Sequence, residues 1–306
     1  MTSRVVTVTL NPALDVTYRV KALRVGETVR VPEVRTRAGG KGVNVAAVVR
    51  QLGADSLVLA LTTTATPDEF RAGLDELGLA HRLVPALASV RRTIAVVADD
   101  GATTMLQENG SPAGDRAEAA ITAVLTDELR AGAGAVVISG SVPAALDPEV
   151  PARLARLCAA HGVPVIADVS GAALRAAASS GAVLMPNSDE LAELVDDGRV
   201  EDLVAGGAAA VVATAGPDGA IAVTARGSWR ARPAEVVEGN PTGAGDAAAA
   251  ALALHLARSG GDVDWPAALA DLVATSAAAV LRPVAGEIDR GARARWIPLT
   301  TVEETR

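Results

Sequence analysis

Cysteine is nearly missing from this chain, and Cys158 alone excludes a disulfide within it and a thiolate metal cluster. Histidine is almost as scarce. His81, His161 and His255 lie far apart without HxxxH or HExxH spacing, so each reads as a surface or core residue rather than a zinc ligand. Aromatic residues amount to 2%, namely Tyr18, Phe70, Trp229, Trp265 and Trp296, so a nucleotide base would rest among aliphatic side chains instead of an aromatic stack. Basic charge is also short. With 28 Lys and Arg against 36 Asp and Glu, the formal charge is −8, which argues against nucleic-acid and anionic-membrane partners because phosphate backbones select basic faces. No run reaches the roughly 18 apolar residues of a membrane span. The first ten residues alternate like a strand and lack the apolar run and small-residue cleavage site of a signal peptide, so a cytoplasmic location is expected.

What is present is a large hydrophobic fraction, 50% of 306 residues, in a repeating order. Strand-like runs at 5–10, 56–61, 135–139, 163–168 and 182–185 precede helix-like runs at 44–52, 67–77, 148–161, 171–179 and 189–195, and a further strand at 210–214 precedes the last helices. Alternation of this kind predicts an α/β fold with a mostly parallel central sheet and helices on both faces. Two segments break the rhythm. Residues 12–37 and 88–108 alternate polar and apolar with no helix between their strands, which predicts a small antiparallel β lid on a single domain spanning 1–306.

The most informative stretch is Gly239-Asn240-Pro241-Thr242-Gly243-Ala244-Gly245-Asp246, which runs into an alanine-rich helix. Glycines allow close approach of backbone to ligand, and a helix start offers unpaired N–H groups and a positive dipole end; both suit phosphate. Asp246 is the odd member. It reads either as a base that takes a proton from an attacking hydroxyl or as an ordinary helix cap. Gly243-x-Gly245-x-x-Ala248 also fits a dinucleotide-binding fingerprint, but the loop at 259–266 stands where that fold needs a second strand ending in an acidic residue. A second cluster, Gly39-Gly40-Lys41-Gly42-Val43-Asn44, opens another helix. It is not a P-loop, since Val43 stands where Ser or Thr would bind magnesium. Lys41 is one of only two lysines, the other being Lys21, so it reads as a ligand for a phosphate or sugar oxygen, or as incidental to a tight turn.

Taken in order, these motifs resemble the PfkB branch of the ribokinase-like sugar kinases, and within it the 1-phosphofructokinase/tagatose-6-phosphate kinase group. The resemblance spans nearly the whole chain: Asn11-Pro12-Ala13-Leu14-Asp15, the Gly39 cluster, Ser139-Gly140-Ser141-Val142-Pro143, Asp168-Val169-Ser170-Gly171, Pro186-Asn187-Ser188-Asp189-Glu190, Thr214-Ala215-Gly216-Pro217-Asp218-Gly219 and Gly243-Ala244-Gly245-Asp246. It implies a ribokinase-like fold and ATP-dependent, Mg²⁺-dependent phosphorylation of fructose 1-phosphate, or of tagatose 6-phosphate or fructose 6-phosphate. By the same resemblance Asp246 is the base, and the amides of Gly243, Ala244 and Gly245 form the anion hole. Asp15, Gly39, Gly40, Lys41, Asn44, Arg91 and Ser139 hold the acceptor, with Arg91, or its neighbour Arg92, on the acceptor's own phosphate; Arg30 is a weaker phosphate candidate. Asn187, Thr214, Gly216 and Gly219 line the nucleotide pocket, and Asn187 with Glu190 holds Mg²⁺ through water, the alternative for that pair being a helix cap. Departures from the group are the missing glycine after Pro143, Met185 for a lysine, Thr93 for an asparagine and Ala247 for a serine, which bear on the acceptor's identity. The rival readings are a kinase of an unphosphorylated sugar or nucleoside and a non-catalytic phosphosugar sensor. An exposed lid sheet also predicts a homodimer through the lid.

Overall fold

The structure, a computed structural model, describes residues 4–195 and 199–305. Its strands in chain order are β1 (Arg4–Thr9), β2 (Ala13–Val20), β3 (Glu33–Gly39), β4 (Ser56–Thr63), β5 (His81–Leu87), β6 (Arg91–Ala98), β7 (Thr103–Gln107), β8 (Ala133–Ser139), β9 (Val165–Asp168), β10 (Val183–Leu184), β11 (Ala210–Thr214), β12 (Ala220–Thr224), β13 (Gly227–Arg232) and β14 (Thr301–Thr305). The helices are α1 (Lys41–Gln51), α2 (Glu69–Glu76), α3 (Ala117–Arg130), α4 (Val150–Ala160), α5 (Gly171–Ala177), α6 (Ser188–Val195), α7 (Val200–Ala205), α8 (Ala244–Ser259), α9 (Trp265–Val280) and α10 (Arg290–Trp296).

Ten strands form the main sheet in the order β14-β13-β12-β11-β10-β9-β8-β1-β4-β5, parallel from β11 to β5 and antiparallel from β11 to β14. Both faces are covered, which is why the central strands β1, β4 and β8 are buried along nearly their whole length rather than on alternate residues. Val5 and Val137 join one core with α1, α8 and α9, while Val6, Val8, Val136 and Ile138 point the other way into a core with α3, α4 and α5. Alanine enrichment has its use in α8. Ala247 to Ala251 are all fully buried, and such small side chains let this helix lie close against both α1 and α9.

The strand–helix rhythm does not predict α3, β5 or the antiparallel strands β12 to β14. β5 contains Pro85, which a strand tolerates here because β5 is the sheet's edge. The small second sheet is ordered β3-β2-β6-β7 and carries Asp15, Gly39 and Arg91. Its two outer pairings are antiparallel. The central pair, β2 with β6, runs parallel, because the chain passes through α1, β4, α2 and β5 before it returns to the lid.

Candidate active site

The glycine loop before α8 is fixed from behind. Asn240 receives this fastening at both ends, its N–H donating to Val280 O at 2.9 Å and its side chain Nδ2 to Pro283 O at 3.1 Å. Gly243 caps α8 in the left-handed conformation (φ 85°), and a Cβ there would lie 2.7 Å from that of Ala285, so only glycine fits. Gly245 differs. It is helical, and a Cβ on it would meet no protein atom within 4 Å, so packing does not demand glycine there; an approaching ligand would. The Ala244 amide donates to Pro241 O at 3.1 Å. Among the described residues no protein acceptor pairs with the amides of Gly243 and Gly245.

Asp246 sits in the first turn of α8 and does not cap it. Its Oδ2 accepts a 2.8 Å hydrogen bond from Asn44 Nδ2 on α1. Burial pushes its carboxyl up to about 7, with the Asp168 and Asp15 charges adding to the rise and Lys41 and the Asn44 hydrogen bond opposing it. A carboxylate poised near neutrality suits proton transfer at physiological pH. Lys41, the first residue of α1, places Nζ 2.8 Å from Asp168 Oδ1 at the end of β9. Burial works against its charge, yet the Asp168 ion pair and the Asp246 and Glu190 charges outweigh that and hold its pKa above the ordinary lysine value. Burial likewise drives Asp168 upward while Lys41 draws it down. Lys41 is therefore held as an ammonium among the carboxylates of Asp168, Asp246 and Glu190.

On the lid side, Asp15 lies over the backbone of Gly39, where a Cβ would come within 2.0 Å of Asp15 Oδ2. Burial raises the Asp15 pKa, and Arg37 and Arg91, one from each neighbouring strand, oppose the rise. Arg91 and Arg92 point opposite ways, as adjacent strand residues must. Arg91 is half-buried beside Asp15, anchored by Nε to Asn11 O (3.4 Å) and Nη1 to Glu108 O (3.1 Å). Arg92 is exposed and reaches Glu69 on α2 at 3.9 Å, away from the cleft. Arg30 makes no contact with these groups among the described pairings and is exposed. Gly40 (φ 101°) turns the chain into α1 over Pro12. Ser139 is 2% exposed, below Gly42 and next to Thr9, and its hydroxyl has no hydrogen-bond partner. It faces the interior of the α1 turn and not the open cleft.

On the nucleotide side, Asn187 and Thr214 lie at the adjacent ends of β10 and β11 and form an isolated bridge. Asn187 and Glu190 bond reciprocally, Glu190 N–H to Asn187 Oδ1 at 2.9 Å and Asn187 N–H to Glu190 Oε2 at 3.0 Å, a capping box for α6. Glu190 also acts electrostatically on Lys41 and Asp168, so the cap and the cleft share this carboxylate. Gly219 is required by packing, since a Cβ would lie 2.0 Å from Ala231 O, whereas Gly216 has open space around it.

Asp168, Arg37 and Asn11 belong to the cluster without being singled out as site residues from sequence. Asp168 had a usable signal, an acidic residue at the carboxyl end of a parallel strand, where α/β folds bind ligands. Arg37 had none, because its partner Ala285 O, at 3.0 Å, is 248 residues away. Asn11 spans to Asn109 O and Ser141 Oγ, both at 3.0 Å, and so ties β1 to the lid and to the β8 loop. Among the described residues there is no preformed group of three or more metal-ligating side chains, and no helix is long and apolar enough to cross a membrane.

Comparison with known proteins shows the family. The pfkB family carbohydrate kinase profile matches residues 7–288. A 1-phosphofructokinase from Xanthomonas campestris is 33% identical over 285 residues, 88% of this chain and 89% of that protein. An ATP-dependent 6-phosphofructokinase isozyme 2 from Mycobacterium tuberculosis is 32% identical over 276 residues, covering 83% of this chain and 78% of that protein. Among solved structures, phosphofructokinase-2 from Escherichia coli in complex with fructose-6-phosphate superposes with a TM-score of 0.85 at 25% identity, covering 97% of this chain and 98% of that one. The ribokinase-like architecture, the family profile and the relatives coincide, and the chain belongs to the pfkB family of carbohydrate kinases, a phosphotransferase that acts on an alcohol group.

Proposed function

We propose that this kinase transfers the γ-phosphoryl group of ATP to a hydroxyl of a sugar phosphate, with fructose 1-phosphate the first candidate and tagatose 6-phosphate or fructose 6-phosphate next. The observation that carries the reading is Asp246, a buried carboxyl with a pKa near 7 beside two unpaired amides at a helix start. In this reading Asp246 accepts the proton of the attacking hydroxyl, and the amides of Gly243 and Gly245 with the α8 dipole stabilise charge on the transferring group. Lys41 neutralises the carboxylates around it and faces the same phosphoryl group. Asp15 and the Gly39-Gly40 turn orient the sugar, and Arg91 takes the acceptor's own phosphate bidentately.

ATP lies toward Thr214, Gly216 and Gly219. Mg²⁺ fits the oxygen donors of Asn187 and Glu190 through water, and the lack of a preformed cage among the described residues suits an ion that arrives on ATP phosphates and keeps several waters. When bound it supplies positive charge to those phosphates. The kinase domain spans the whole chain, lid included. Val34, Met105 and Leu106, exposed on the lid strands, support pairing of two lids in a homodimer. A kinase of an unphosphorylated sugar has no evident use for Arg91 beside Asp15, and a sensor none for a carboxyl held near neutrality. A coupled ADP-release screen over sugars and sugar phosphates tests the reading; turnover confined to unphosphorylated sugars refutes it.

A further inference from the structure

A second cleft, of about 460 Å³, opens along α1 one to two turns beyond Asn44, between α1, the end of α2 and the segment 282–287. Arg37, Arg50 and Arg282 line it, against the single carboxylate of Glu287. This concentration of positive charge is unusual in a chain of net −8. The guanidinium groups are only partly engaged. Arg282 Nη2 meets Glu287 Oε2 at 3.3 Å, Arg50 Nη1 bonds the Gly78 carbonyl, and the buried Arg37 Nε pairs with no acceptor among the described residues.

The walls of this cleft are also the back of the catalytic centre. Ala285 lies against Gly243, Gly286 lies against Asn44, and Asn44 donates to Asp246. Gln51 pins the same segment, with Nε2 on Gly286 O at 2.7 Å and Oε1 accepting from Ile288 N–H at 3.1 Å. Arg37 joins the two sides, since it holds Ala285 O while acting on the Asp15 charge. We infer that the Arg37, Arg50 and Arg282 cleft binds a small diphosphate or bisphosphate anion and that its occupation alters the acceptor site through Arg37 and the 282–287 segment. Planar guanidinium forks match phosphate oxygens, and an anion of two or more charges competes with Glu287 for Arg37 and Arg282. The regulatory half rests on the kinase reading above; the binding half does not.

The test is calorimetric titration of inorganic pyrophosphate into the full chain saturated with a non-hydrolysable ATP analogue and with fructose 1-phosphate, so that the catalytic cleft is filled, compared with the Arg50→Gln/Arg282→Gln double variant. Both arginines are exposed and outside the catalytic machinery, so folding and basal turnover should be unchanged. The expected result is a loss of affinity of roughly tenfold or more in the double variant, a further fall in wild-type affinity with added salt, and a change in acceptor KM that only the wild type shows. Equal binding by both proteins, or none by the wild type, overturns the site. Binding without any change in KM overturns the coupling, and a protein that turns over no sugar fails the kinase reading while the titration still decides the site.

Discussion

Replacing Asp246 by Asn separates two consequences of one buried carboxyl. The side chain keeps its shape and can still accept from Asn44 Nδ2, which donates at 2.8 Å in the wild type. Turnover should fall by roughly 10²- to 10⁴-fold, the usual contribution of a general base. Stability should change in the opposite direction. The rise of the Asp246 pKa from 3.8 to about 7 corresponds to about 4 kcal/mol, at about 1.36 kcal/mol per pH unit. The sign follows from proton binding: the unfolded carboxyl ionises near pH 4, and the folded one keeps its proton until about 7. Wild-type stability is therefore lost as pH rises through that window and levels off above it. The Asn variant never ionises, so it should match the wild type below about pH 4 and exceed it by up to about 4 kcal/mol above pH 7. Urea denaturation at pH 4 and pH 8, beside a coupled ADP assay, measures both. Near-wild-type turnover, or a stability difference that does not grow with pH, would refute the reasoning.

The other expectations concern the surroundings of that carboxyl. Gly245→Ala should leave stability unchanged or raise it by roughly 0.5–1 kcal/mol in chemical denaturation, since Ala is the better helix former, while turnover falls because the new methyl enters the phosphoryl site; unchanged turnover would show that no ligand approaches Gly245. Asn44→Ala removes a hydrogen bond that favours the Asp246 carboxylate, so the acidic limb of the kcat/KM profile should move to higher pH by roughly 1–2 pH units, measured across pH 5–9; a limb that stays in place or moves down contradicts the pairing. Glu190→Gln should raise the free Mg²⁺ needed for half-maximal rate, and an unchanged magnesium titration with unchanged turnover would leave Glu190 as a helix cap alone.

Much of this architecture is legible in the residues because the signals are local. Short apolar runs between Gly and helix-forming segments give the parallel strands, and the glycine clusters mark the starts of α1 and α8. The antiparallel edge was less legible. β13 and β14 are polar, short and brought together from 227–232 and 301–305, so pairing rather than pattern defines them. The candidate site divides in the same way. Asp246, Asn44, Lys41 and Asp15 stand in sequence motifs, but which partner each takes depends on contacts such as Asn44 with Asp246 across 202 residues. Lys41 illustrates the limit: its glycine turn marks an anion-facing lysine, and only the fold brings Asp168 to it. Arg37 carries no local pattern at all.

The claim that the acceptor brings its own phosphate is tested most directly by Arg91→Ala, assayed with a sugar phosphate and with the corresponding free sugar. A charge-assisted hydrogen bond contributes about 1.5–3 kcal/mol, so kcat/KM for the sugar phosphate should fall on the order of 10- to 150-fold, with little change in the KM for ATP. The free sugar, which never made the contact, should lose far less. Equal losses for both acceptors would contradict the account and favour a kinase of unphosphorylated sugars.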